Sequence, residues 1–319
     1  MIKLPVLVTG GAGMLGSAFA DQAGRFAGFD LHVAPRAELD VRDADAVAAW
    51  QDRVAGGWIV HCAGLVDVEG CAREPDFARQ TIIEGTRNVA MLARDAGARL
   101  LYPQSFLIYD GRENPIREEE EPRPLSFYGE LKLEAEQVVR DLTTDPLIIR
   151  MAGFFGGEAA DKNFVGRIIP VMHAAILRGE KSFNVGDRVW QPTWTEDLAR
   201  NSLDLMARGS SGTYQMACEG HATFAELAHE IVAALGWSDR LAITPVSAQA
   251  VAQSELGRRP DVAILSCDRL TAEQANGQQP WRAALNAYLA HEFFDQYRLE
   301  TDGDRIARAA VPPRFYSAA

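Results

Sequence analysis

Thr9-Gly10-Gly11-Ala12-Gly13-Met14-Leu15-Gly16 is the stretch on which the fold turns. Gly10, Gly13 and Gly16 fall at the first, fourth and seventh places of a GxxGxxG pattern. The apolar run Leu4 to Val8 precedes it, and Met14 to Ala23 follows with apolar and small residues at helical spacing. The reading is strand, glycine turn, helix. In such a unit the first glycine permits the tight turn, the middle one lets backbone N–H groups approach a pyrophosphate, and the last lets helix and strand pack closely. The helix N-terminus then favours the negative charge. A bare glycine pattern could be no more than a turn, but at the head of a strand-helix alternation it predicts a nucleotide site at Gly10, Gly13, Met14, Leu15 and Gly16.

Outward from the loop, short apolar runs at Leu31 to Ala34, Trp58 to Cys62, Leu100 to Pro103 and Leu147 to Met151 suit buried parallel strands. Between them, Asp43 to Val54, Phe77 to Ala96 and Tyr128 to Leu142 carry apolar residues every three or four positions. The expected class is therefore α/β, a doubly wound parallel Rossmann sheet over residues 1–152. Past Arg150 the alternation stops. Helices are expected at Asn163 to Arg178, Thr195 to Ala207, Thr223 to Leu235 and Trp281 to Tyr297. Residues 153–319 read as mainly a smaller mixed cap domain, with segments near 183–218 returning to the sheet. Gly111 to Ser126 and Ser254 to Asp261 read as loops, and the tail after Leu299 as loosely held.

Composition narrows the class. A chain of 319 residues, 47% hydrophobic, has ample core, and its net charge of -12 argues against a nucleic-acid partner, which would need a basic face. No apolar run approaches the ~20 residues that cross a bilayer. Lys3 leads straight into a strand-like segment without a signal-peptide pattern, so a cytoplasmic protein is expected. The four cysteines, Cys62, Cys71, Cys218 and Cys267, form no CxxC pair and lack interleaved histidines, which leaves no metal site to expect.

Two further positions bear on chemistry. Dinucleotide folds place an acid about 20 residues past the loop to bond the adenosine ribose, or a basic residue to accept a 2′-phosphate. Here that place holds Arg36, while Asp30 comes too early in its strand, so NADP(H) is expected over NAD(H), an exposed loop arginine being the other reading of Arg36. Tyr128 and Lys132, four residues apart, share one helix face. A cation beside a phenol favours the phenolate and brings its proton within reach of a carbonyl or alcohol oxygen. Ser105 follows the Leu100 to Pro103 strand and could share that oxygen. Alone, the Tyr-Lys spacing also suits an exposed helical pair.

Together with TGGAGMLG and YGELK, several segments resemble the extended short-chain dehydrogenase/reductase family, and within it the dTDP-4-dehydrorhamnose reductases. Leu39-Asp40-Val41 resembles the LD(I/V) that sets an Asp near the adenine. His61-Cys62-Ala63-Gly64 resembles the cofactor-flanking NAA segment, and Asp67 to Pro75 its continuation. Gly85-Thr86-Arg87-Asn88, Asn163-Phe164, Gln191-Pro192-Thr193 with Asp197-Leu198-Ala199, and Arg258-Arg259-Pro260 match further segments of the same family. The resemblance implies cofactor contacts at Asp40, Val41, Cys62, Ala63 and Gly64, a nucleotide-sugar substrate and a homodimer formed through the Phe77 to Ala96 and Tyr128 to Leu142 helices. It also implies roles: Ser105 polarises the carbonyl, Tyr128 donates the proton, and Lys132 holds the nicotinamide ribose and lowers the tyrosine pKa.

Three departures stand out. The family's STDYVFDG reads Gln104-Ser105-Phe106-Leu107-Ile108-Tyr109-Asp110-Gly111, so no acid follows the hydroxyl, against a dehydratase. RTSW, whose Trp lines the sugar pocket, reads Arg150-Met151-Ala152-Gly153. An asparagine near the lysine is Ile82. The expected activity is reduction of a 4-keto-6-deoxy nucleotide sugar. The alternatives are an NAD-dependent nucleotide-sugar 4-epimerase, which would keep the same triad, and a catalytically silent NADP-binding regulatory module.

Overall fold

The computed structural model describes residues 3–248 and 256–298. The first half runs β1 (Leu4–Thr9), α1 (Met14–Gln22), β2 (Phe29–Ala34), α2 (Ala44–Ala48), α3 (Gln51–Val54), β3 (Trp58–His61), α4 (Val68–Arg73), α5 (Pro75–Arg79), α6 (Gly85–Asp95), β4 (Arg99–Ser105), α7 (Phe127–Leu142) and β5 (Leu147–Met151). There follow β6 (Phe154–Phe155), α8 (Phe164–Leu177), β7 (Ser182–Gly186), β8 (Val189–Trp190), β9 (Thr193–Trp194), α9 (Thr195–Ala207), β10 (Gly212–Met216), β11 (Ala222–Thr223), α10 (Phe224–Ala234), β12 (Ala242–Val246), α11 (Asp268–Ala272) and α12 (Trp281–Leu289).

Among the described residues the central sheet has six strands in the order β10-β5-β4-β3-β1-β2, all parallel. Its apolar runs are continuous because both faces are covered. Alternate residues of each strand point to opposite sides: Val6, Val8, Val60, Leu101 and Ile149 enter one core with Leu15 and Phe19 of α1 and Leu198 and Leu203 of α9. Leu7, Ile59, Leu100, Tyr102 and Ile148 enter the other, with Val89 of α6 and Leu131 of α7. β2 lies on one side of β1 and β3 on the other, so the winding reverses between β1 and β3. A crevice opens there at the carboxyl ends of the strands, the place where such sheets bind ligands. A separate core gathers α8, α10 and α12 around Trp237, Trp281 and Tyr288.

Several boundaries differ from the sequence reading. The helix expected over Asp43 to Val54 is two short helices, and the one over Phe77 to Ala96 passes through a widened π turn at Gln80–Glu84. Of the 183–218 stretch, β10 joins the sheet edge against β5 and α9 packs on α1, whereas β7 pairs with β12 away from the sheet. The Ala, Val and Leu residues of α6 and α7 that suggested a surface for a second copy are inside the chain: Val89, Ala90, Leu92, Ala93, Ala135, Val138 and Val139 are buried in the core these helices share with the sheet. Their outer faces carry Arg94, Glu134, Gln137 and Asp141, exposed to water. The expected loop at Ser254 to Asp261 begins outside the described residues, and the tail after Leu299 lies wholly outside them.

Candidate active site

The glycine loop sits at the mouth of the β1/β3 crevice, and its glycines are required by geometry. Gly10 has φ +71°, and a β-carbon there would meet Ala63 N at 2.6 Å. One at Gly16 would stand 2.3 Å from Gly10 O, so the helix could not approach the turn. α1 begins at Met14 with Gly13 as its cap. Among the described residues no side chain caps it and no acid lies in its first turn. The side chains of Met14 and Leu15 are buried, so what they offer an anion is their backbone N–H groups. A bare loop, unpaired helix N–H groups and no competing acid fit a dinucleotide's pyrophosphate.

The loop after β2 carries Arg36, whose side chain is 67% exposed and donates from Nε to Asp40 Oδ2 at 3.3 Å. Asp40 also accepts from Arg42 Nε at 2.9 Å and from its backbone N–H at 3.1 Å. The Arg42 guanidinium is the largest influence holding the Asp40 carboxyl well below the usual carboxylate range. Two arginines and one acid thus stand together past the end of β2. Val41 is buried, and its carbonyl accepts from Asn88 Nδ2 at 2.9 Å. Past β3, Cys62 and Ala63 are half-buried beside Gly10 while Gly64 is exposed.

Ser105, Tyr128 and Lys132 are carried by β4 and α7. Ser126 caps α7, its side chain accepting from Gly129 N, which sets Tyr128 in the first turn. Gly129 lets the helix close on the strand end, since a β-carbon there would lie 2.4 Å from Leu107 O. Ser105 Oγ accepts from Leu107 N at 3.2 Å, which leaves its proton free to be donated. Its hydrogen bond to Tyr128 draws the phenol's pKa down, but burial is larger and pushes it well above the ordinary value.

Lys132 Nζ donates to Tyr102 OH at 2.7 Å and to Pro103 O at 3.0 Å. Burial brings Lys132 itself down to about 7, against the pull of Glu136 and Cys62.

The sequence reading missed the polar frame behind these groups. Gln104, fully buried, donates from Nε2 to Lys132 O and to Glu136 Oε2, each at 2.9 Å, and its Oε1 accepts from Ser105 N at 2.8 Å. Glu136 is ion-paired with Arg150 at 2.7 Å, and Arg150 Nη1 also donates to Tyr109 OH at 2.7 Å. A charge inside the apolar strand Leu147–Met151 was the available signal, because a buried arginine demands a partner. At the departures, Phe106 is half-buried in a 3-10 turn and Ile82 is buried in the core. Gly153 lies against Trp190, where a β-carbon would come within 2.2 Å of Cε3. In the Arg258-Arg259-Pro260 loop, Arg259 Nη1 pairs with Glu69 Oε1 of α4 at 2.9 Å.

A nucleotide loop at the switch point of a parallel sheet, with serine, tyrosine and lysine on the neighbouring strand end and helix, defines an NAD(P)-dependent oxidoreductase of the extended short-chain dehydrogenase/reductase class. Comparison with known proteins gives the narrower grouping. Residues 4–293 match the family model described as RmlD substrate binding domain, and the chain belongs to that family. It is 31% identical over 284 residues to a dTDP-4-keto-6-deoxy-D-glucose reductase of Streptomyces niveus, covering 88% of this chain and 94% of the relative. It is 28% identical over 299 residues to methionine adenosyltransferase 2 subunit beta of Bos taurus, covering 89% and 86%. Among solved structures, a dTDP-4-dehydrorhamnose reductase from Clostridium acetobutylicum superposes with a TM-score of 0.81 at 26% identity, covering 90% of this chain and 98% of that one.

Proposed function

We propose that the chain reduces the ketone of a 4-keto-6-deoxy nucleotide sugar with NADPH, with Tyr128 as the proton donor. The observation that carries this reading is the buried Tyr128 phenol, in the first turn of α7 with Lys132 one turn along the same helix and Ser105 at the end of β4. A protonated phenol in that place can donate to a ketone oxygen. When bound, the nicotinamide supplies the hydride that the carbonyl carbon accepts. Ser105, its hydroxyl proton turned from Tyr128 to the substrate oxygen, polarises the carbonyl, and Tyr128 delivers a proton to that oxygen, giving the alcohol and a phenolate that solvent reprotonates.

The glycine loop and α1 would hold the pyrophosphate, Asp40, Val41, Cys62, Ala63 and Gly64 would flank the cofactor, Lys132 would hold the nicotinamide ribose, and Arg36 would take a 2′-phosphate. Residues 153–319 would supply most of the sugar contacts. The similarity to methionine adenosyltransferase 2 subunit beta over most of both chains favours a second reading, a regulatory subunit that binds NADP without turnover. The test is oxidation of NADPH and NADH against 4-keto nucleotide sugars, with Tyr128→Phe as control. Turnover lost in the mutant supports the reductase. Interconversion of 4-epimers without net redox would identify an epimerase, and tight binding without turnover the regulatory module. Arg36→Ala should weaken NADPH binding about tenfold and spare NADH.

A further inference from the structure

A chain of buried side chains leads away from Lys132. Ala63 N–H donates to Thr9 Oγ1 at 3.1 Å, and that hydroxyl is hydrogen-bonded to His61 Nδ1 at 2.9 Å. His61 Nε2 is hydrogen-bonded to Thr86 Oγ1 at 3.1 Å, and with the proton on Nε2 the chain runs from Thr9 through His61 to Thr86. Thr86 adjoins Tyr102 and draws its phenol's pKa down against burial, and the Tyr102 oxygen accepts from Lys132 Nζ at 2.7 Å. The Tyr102 ring also lies under that ammonium, 4.2 Å from Nζ to its centroid. Thr9, His61, Thr86 and Tyr102 are each at most 3% exposed. Buried polar groups this well matched fix one another's direction. One end of the chain is the ammonium and the other is the last residue of β1, next to Gly10.

We propose that Tyr102 is a positioning residue for Lys132, and that Thr86, His61 and Thr9 tie that lysine to the strand end that launches the glycine loop. Two regions that would touch opposite parts of one cofactor are thereby held in a single buried network. Ile82, packed in the core close by, offers no polar support of its own. Only the consequence for a bound nicotinamide rests on the reductase reading.

The ionisable groups around Lys132 are Glu136 and Tyr128 on its own helix, Tyr102 on β4, and His61 and Cys62 at the end of β3. Glu136 and Cys62 favour its charged form, and Tyr128 acts on Tyr102. Burial and Lys132 hold His61 down to about 3, so it stays neutral across the working range and the chain is not broken by its protonation.

The test uses the intact apo-protein. It has four lysines, Lys3, Lys132, Lys162 and Lys181, so ¹³C-ε lysine labelling gives four signals, with Lys132→Arg assigning the relevant one. The wild-type signal should titrate at about 7. Tyr102→Phe removes only the acceptor hydroxyl and should lower that midpoint by about one pH unit, as expected for a lost hydrogen bond to a charged group. Thr86→Val should shift it the same way but less. NADPH affinity, read by fluorescence, should fall about fivefold or more in Tyr102→Phe.

A folded Tyr102→Phe with an unchanged Lys132 midpoint would overturn the proposal. So would ¹⁵N shifts placing the wild-type His61 proton on Nδ1, a measurement that needs no variant. A shifted midpoint in a protein whose wild type binds no NADPH would uphold the Tyr102 role and overturn the cofactor reading instead.

Discussion

Replacing Gln104 with methionine keeps the side chain's length and removes three buried hydrogen bonds, two that join β4 to α7 and one to Ser105 N in its own strand. The carbonyl of Lys132 retains its partner within the helix, and Glu136 Oε2 keeps Arg150 Nε at 3.3 Å. Ser105 N–H loses the side-chain oxygen it donates to at 2.8 Å. A buried donor left without an acceptor costs about 1–3 kcal/mol, and each of the other lost bonds about 0.5–1.5 kcal/mol. A destabilisation of about 2–6 kcal/mol follows, measured by urea unfolding with the slope unchanged from wild type. Glu136→Leu, which removes the buried Arg150 guanidinium's carboxylate partner, should cost about 3–5 kcal/mol. Turnover should fall further than stability suggests, about 10² in kcat, because Ser105 and Lys132 are both anchored through this amide and small misplacements are costly. A Gln104→Met protein within about 0.5 kcal/mol of wild type and fully active would show that the strand and helix are held by apolar packing alone, and the reasoning about the frame would fail.

Gly16→Ala should lower NADPH affinity at least about tenfold while leaving the fold measurable by circular dichroism, because the added carbon collides with the backbone of Gly10 and Gly11 and pushes α1 off the loop; wild-type affinity would contradict the cradle. Glu196 is raised to about 7, chiefly by burial, and shares a hydrogen bond with Gln22, so it favours folding most below its ordinary 4.5 and that contribution is lost as pH rises through about 7. Glu196→Gln should therefore stabilise the protein above pH 7, by about 1–2 kcal/mol, and bring no gain near pH 4; equal effects at both pH values would refute it. Gly153→Ala should destabilise by about 1–3 kcal/mol through its collision with Trp190, and adding Trp190→Ala should recover part of that loss, which additive effects of the two changes would contradict.

The parts of the site that the sequence made legible are those that one strand-turn-helix unit contains. The glycine loop speaks for itself because each glycine answers a local backbone demand, and Tyr128 with Lys132 is readable because both lie within one helical turn. The alternation of strands and helices was equally plain, since a parallel strand buried on both faces must be apolar throughout. Lys132 shows the limit of this. Spacing placed it on one helix face with Tyr128 and gave no sign that its ammonium donates to Tyr102, 30 positions away in the chain. Local spacing says which side chains share a face, and it cannot say which partner from another strand competes for them.

The same limit explains why the second half of the chain resists a motif reading. Gly153 read alone is a missing aromatic wall. In the fold, the Trp190 indole lies over Gly153, brought there by β8, packed against Phe164 and Phe224 at centroid distances of 6.4 Å and 5.0 Å. A glycine and a tryptophan in contact are one packing unit even though no local pattern spans both. The shape of this region is thus set by pairs such as Gly153 with Trp190 and Glu69 with Arg259, each joining segments far apart in the chain. Cofactor chemistry travels in short motifs because a pyrophosphate asks for backbone. A sugar asks for a surface, and that surface exists only once distant segments have met.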